Sequence, residues 1–215
     1  EFRRVLFRSV GLAAALCAKH GLTPRALAND AARMKQLQQM LLRDDQTITG
    51  ITNQDPADVA RRAQVTASSE QDEAPARNLL DGHVRDIPNG ARHQWAAKMQ
   101  PGGVWVDYTW DSPQSLSQLQ LTFDTGFQRE LTLTSLNRAN ESIVRAPQPE
   151  TVRDYRILYR ESAGGEWKPL VERKGNHQRL VRHNFSAVRA QAIRLHIDAT
   201  NGDELARLFE LRCYA

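Results

Sequence analysis

The stretch Val104-Trp105-Val106-Asp107-Tyr108-Thr109-Trp110 decides the fold. Val104, Val106, Tyr108 and Trp110 fall on one face and Trp105, Asp107 and Thr109 on the other, the period of a half-buried β-strand. The same alternation returns at Leu119, Leu121 and Phe123, at Tyr155, Ile157 and Tyr159, at Ile193, Leu195 and Ile197, and at Phe209, Leu211 and Cys213. Turn residues separate these runs: Asp81-Gly82, Asn89-Gly90, Pro101-Gly102-Gly103, Gly164-Gly165, Asn176 and Asn201-Gly202. Short alternating strands with no helical pattern between them predict a mainly β, antiparallel sandwich or jelly roll over residues 63–215.

Upstream the period changes. Leu27, Ala31, Met34, Leu37 and Leu41 recur at spacings of four and three, one apolar helical stripe. Gly21 suits the left-handed position that ends a helix, Thr23 suits an N-cap, and Pro24 fits a first turn where its missing N–H costs nothing. Two α-helices over residues 10–50 and a linker over 51–62 are therefore expected before the sandwich. Glu1–Ser9, which holds three of the arginines, reads as a cloning or sequencing junction.

Composition narrows the function classes. The 215 residues are 40% apolar and 25% charged, enough to build a core. Net charge is +4, but residues 1–9 supply +2 and leave +2 across the other 206, so no basic footprint for nucleic acid exists. The apolar run Val10–Ala18 falls short of the roughly 20 residues that span a bilayer. Cys17 and Cys213 stand at opposite ends, compatible with one bridge and better explained as two buried thiols. The chain shows no dinucleotide fingerprint, P-loop, G-x-S-x-G or H-E-x-x-H, and its six histidines have no metal-ligand spacing.

Several segments together resemble the discoidin, or coagulation-factor C-type, domains of the galactose-binding-like superfold. They are Ala63–Ser69, Asn78–Gly82, Trp95, Gly103–Tyr108, Tyr155–Tyr159, Gly165–Trp167, Ile193–Leu195 and Ala206–Tyr214. The helical stretches Gly11–Cys17, Gly21–Arg25 and Leu41–Asp45 are similar to the C-terminal tail of bacterial FAD-dependent oxidoreductases that carry such a module. In that family a Gly-Gln-Ala-x-Gly turn at the flavin leads into the first helix. Here Phe7-Arg8-Ser9 occupies the turn, and Gly11 is the one cofactor-binding position that carries over.

These resemblances imply a non-catalytic module at the end of an FAD-dependent oxidoreductase, with FAD held only by the full-length parent. Carbohydrate is the implied ligand, the upstream catalytic domain the implied partner, and the setting periplasmic or extracellular. In the alternative, the sandwich is a structural or docking domain without a ligand. Neither nucleic acid nor membrane is expected as a partner.

The superfold often holds a structural Ca2+, and Asp81 and Glu210 match its loop and strand acids. Calcium takes six to eight oxygens, which an Asp-Gly turn can help supply. Equally, Asp81 could cap its own turn and Glu210 could pair with Arg207 or Arg212. A sugar site would lie among the loops at one end of the sandwich. Arg85, His93 and Trp95 are its candidates, with Asn89 and Asn201 behind them. Trp95 is alternatively a core residue, and Trp105 either second-sheet core or a docking surface.

Overall fold

The structure, a computed structural model, describes residues 2–86 and 90–215. The chain forms two compact units, residues 1–55 and 56–215.

The first unit is helical. Its elements are α1 (Phe2–His20), α2 (Pro24–Asn29) and α3 (Ala31–Arg43). Thr23 caps α2, its side chain accepting the Ala26 N–H at 3.2 Å, and Pro24 opens the helix as expected. The single helix expected after Pro24 is instead two. Asp30 ends α2 and caps α3, accepting the Arg33 N–H at 3.0 Å in extended backbone geometry. The apolar stripe survives the break except at Ala31, which is exposed. Leu27, Leu37 and Leu41 pack with Leu16 and Cys17 of α1, so the helices bury one another's apolar faces. α1 also begins well before residue 10 and runs through Phe7-Arg8-Ser9 without a turn.

The second unit is built from β1 (Gln64–Ala67), β2 (Trp95–Lys98), β3 (Val104–Phe123), β4 (Val152–Arg160), β5 (Lys168–Arg173), β6 (Leu180–Thr200) and β7 (Leu205–Tyr214). All pairings are antiparallel, in the order β2-β7-β3-β6-β4-β5 with β1 also on β3. Two long strands make the sandwich. The first half of β3 lies between β1 and the end of β6, while its second half lies between β7 and the start of β6. A register shift between Thr109 and Gln114 marks the passage. The runs read separately at 104–110 and 119–123 are thus one strand of 20 residues.

Val104, Val106, Tyr108, Trp110, Leu119, Leu121, Phe123, Tyr155, Ile157, Ile193, Leu195 and Ile197 form the shared core, as the alternation requires. β7 departs from it. Leu208 joins the core together with Leu211 and Cys213, because a register shift opposite Thr122 and Phe123 inserts one residue and reverses the faces. Phe209 is therefore buried outside that cluster.

The linker expected over 51–62 is partly structural. Val59–Arg62 form a 3-10 helix, Ala60 and Ala63 enter the core, and Trp110 Nε1 donates to the Val59 carbonyl at 2.8 Å. Gly103 is required where β3 begins: its φ is +87°, and a Cβ there would lie 2.4 Å from the Ile197 carbonyl oxygen. Both cysteines are free and buried. Burial and the nearby Asp58 push the Cys213 thiol pKa up, which makes it inert. No helix among the described residues is long and apolar enough to cross a membrane.

Candidate functional site

At one end of the sandwich the last residues of β3 pair with the first of β6, and the loop before β2 meets them through Val84. Arg179 ties these pieces together, donating to the Phe123 carbonyl at 2.6 Å and to the Val84 carbonyl. Its guanidinium also lies over two rings, 4.5 Å from the Phe127 centroid and 5.1 Å from that of Phe209. Arg85 approaches Phe127 as well, at 4.7 Å. Phe127 keeps 36% of its surface exposed, an aromatic ring set among guanidinium groups.

Carboxylates order the described parts of the loop before β2, residues 81–86 and 90–94. Asp81 Oδ1 accepts the His83 N–H at 2.8 Å, and Oδ2 meets His93 Nδ1 at 2.7 Å. Asp86 accepts the His93 N–H at 2.6 Å and bonds to the side chains of Arg92 and Gln94. These contacts stack His83 on His93 with centroids 3.9 Å apart. Burial first, then the neighbouring His93, holds the His83 pKa below its ordinary value, so His83 is a neutral donor or acceptor near pH 7.

Arg85 and His93 thus belong to one loop cluster. Trp95 does not offer a ligand surface: it is 0% exposed, sits in the core, and spends its Nε1–H on the Ser69 carbonyl at 3.1 Å. Asn201 is used to hold loops, its amide donating to the carbonyls of Thr151 and Asn176. Asn89 lies outside the described residues. Sequence reasoning singled out neither Phe127 nor Arg179. The one signal was an aromatic directly after the turn-forming run Asp124-Thr125-Gly126.

Trp105 is neither core nor bare surface. Arg194 lies 4.1 Å from its ring and 4.5 Å from that of Trp167, held by both oxygens of Asp107 at 2.7 Å. The outward face of β3 and β6 thereby carries a stacked ladder anchored by a bidentate ion pair.

Asp81 and Glu210 do not fit a calcium site as they stand. Asp81 caps its own turn and pairs with His93, while Glu210 forms a buried ion pair with Arg212 at 2.6 Å. Among the described residues no three His, Cys, Asp or Glu side chains converge. Gly11 lies inside α1, with helix before and after it, and a Cβ at that position would meet nothing within 4 Å. The glycine turn that the resemblance places at the flavin is replaced there by continuous helix.

Residues 58–151 match the family described as "Domain of unknown function (DUF7402)". No curated protein matches the chain. Among solved structures it is similar to chitosan-binding module 1 of a chitosanase/glucanase from Paenibacillus sp. IK-5, at 16% identity and a TM-score of 0.54, covering 74% of this chain and 98% of that one. A CBM32 module from Clostridium perfringens, in complex with GalNAc-β-1,3-galactose, gives 15% identity, a TM-score of 0.53 and coverage of 73% and 97%. The family 32 module of C. perfringens NanJ, in complex with galactose, gives 16%, 0.52, and 73% and 96%. The second unit has the antiparallel sandwich fold of these modules.

Proposed function

We propose that residues 56–215 are a non-catalytic carbohydrate-binding module whose ligand is taken at the loop cluster around Phe127. The observation that carries this reading is the ring of Phe127 among Arg85 and Arg179, with the stacked His83 and His93 on the loop that also carries Arg85. A pyranose offers an apolar C–H face and a rim of hydroxyls. The exposed part of the phenyl ring suits the first, and guanidinium and imidazole nitrogens suit the second. The fold shared with modules that hold galactose and GalNAc-β-1,3-galactose supports the same choice of ligand class. A place at the end of a flavin-dependent oxidoreductase completes the proposal; it rests on the resemblance of residues 11–45 alone.

The test is a printed panel of galactose-, N-acetylgalactosamine-, glucosamine- and uronate-terminated glycans, probed with the whole chain and with Phe127→Ala. Retention of one glycan class by the native chain, lost in the variant, supports the module. No retention by either leaves a structural or docking domain as the function of the sandwich.

A further inference from the structure

We infer that Arg129 is a positioning residue for this site, its ion pair with Glu150 clasping the excursion between β3 and β4 so that Phe127 is held against Arg85 and Arg179. The inference rests on the carbohydrate reading of the Phe127 cluster.

The excursion has little apolar burial to hold it. Its one helix, α4 (Asn137–Glu141), has no buried residue, and Leu133 and Leu136 are 73% and 68% exposed. Order comes from its two ends. Thr151 Oγ1 donates to the Asp124 carbonyl at 2.9 Å, and the Gly126 N–H donates to Asp124 Oδ1 at 2.9 Å. Arg129 then reaches 21 residues along the chain: Nη1 donates to Glu150 Oε1 at 2.6 Å and Nη2 to Glu150 Oε2. Its Nε and Nη2 also meet Gln148 Oε1 at 3.1 and 2.9 Å, while Gln128 Nε2 donates to Glu150 Oε1 at 2.7 Å.

The pair is sheltered, with side chains 23% and 6% exposed, so solvent screens it less than a surface bridge. The planar fork engages two acceptors at once, which a single ammonium cannot reproduce. Gly126 leaves the room: its φ is +70°, and a Cβ would lie 2.7 Å from Arg129 Nη2 and 2.8 Å from Glu150 Oε2. Phe127 is the next residue. The clasp therefore fixes the backbone on both sides of the aromatic ring.

The experiment compares the whole chain with Arg129→Ala and Arg129→Lys by amide hydrogen exchange and on the glycan panel above. In Arg129→Ala, exchange over residues 127–147 rises at least tenfold while β3 and β6 stay protected. Retention on the panel falls by on the order of tenfold, because binding must now order the loop. Arg129→Lys, which keeps a cation facing Glu150, recovers part of both. Unchanged exchange over 127–147, or unchanged glycan retention despite faster exchange, overturns the positioning role. If the native chain retains no glycan, the carbohydrate reading falls; slow exchange at Phe127 in Arg129→Ala then overturns the clasp on its own, and fast exchange there upholds it.

Discussion

Asp58 Oδ1 accepts the backbone N–H of Cys213 at 2.9 Å, although the two residues lie 155 positions apart. The same oxygen accepts the Ala60 N–H at 3.1 Å, so one buried carboxylate caps the 3-10 helix and pins the last strand. Removing it orphans two buried donors at once. Asp58→Ala should cost about 2–6 kcal/mol, from the roughly 1–3 kcal/mol of each unsatisfied group. In thermal unfolding this is a fall of about 4–24 °C for a domain of this size. A fragment beginning at residue 64 should be destabilised more than one beginning at residue 56, since it also loses the acceptor of Trp110 at Val59.

Arg194 should matter to stability out of proportion to its surface position. It is bonded to both oxygens of Asp107 and stacked on Trp105 and Trp167. Arg194→Ala leaves Asp107 shielded without its cation and opens the ladder, at about 2–4 kcal/mol. Arg194→Lys should recover less than half of that, because a lysine neither bridges both oxygens nor stacks as a plane. Denaturant titration of the two variants checks the order.

Glu150 gives the fold a dependence on acid. The Arg129 hydrogen bonds hold its pKa down, from the ordinary 4.5 to about 2. A carboxyl depressed on folding contributes stability that is complete above the unfolded value and is lost as pH falls through the folded one. The melting-temperature gap between the native chain and Glu150→Gln should therefore be constant from pH 7 to about 5 and close between about pH 4.5 and 2. A gap unchanged to pH 2.5 would contradict the pairing.

Calcium should leave the melting curve where it is. An ion stabilises a fold only if the folded state binds it, and Asp81 and Glu210 are already committed to His83, His93 and Arg212. Melting the chain with chelator and with millimolar calcium checks this. A rise of several degrees with calcium would show that these partners yield to the ion.

How far the sequence was legible follows from the range of each cause. The faces of β3, β4 and the end of β6 could be read because alternation is a local property, and Val104, Ile157 and Leu195 all point to the core. β7 could not be read throughout, since a bulge opposite Thr122 reverses its faces and depends on the partner strand. Asp30 carried a cap signal, hidden by an apolar stripe that ran unbroken across it. Arg85 and His93 were named because the resembled superfold would place a sugar site among its end loops, and the two do share the loop before β2. Trp95 is indistinguishable in sequence from an exposed sugar platform until packing buries it. Phe127, Arg129 and Glu150 were missed because their roles are created by contacts between loops, not by any spacing along the chain.

Amide chemical-shift mapping of the whole chain, titrated with the glycan best retained on the panel, tests the central claim most directly. The account predicts saturable shifts confined to residues 83–86, 92–94, 127–129 and 179, with the outward face around Trp105 and Trp167 undisturbed. No saturable shifts with any glycan of the panel, or shifts centred on Trp105 and Trp167, would contradict it.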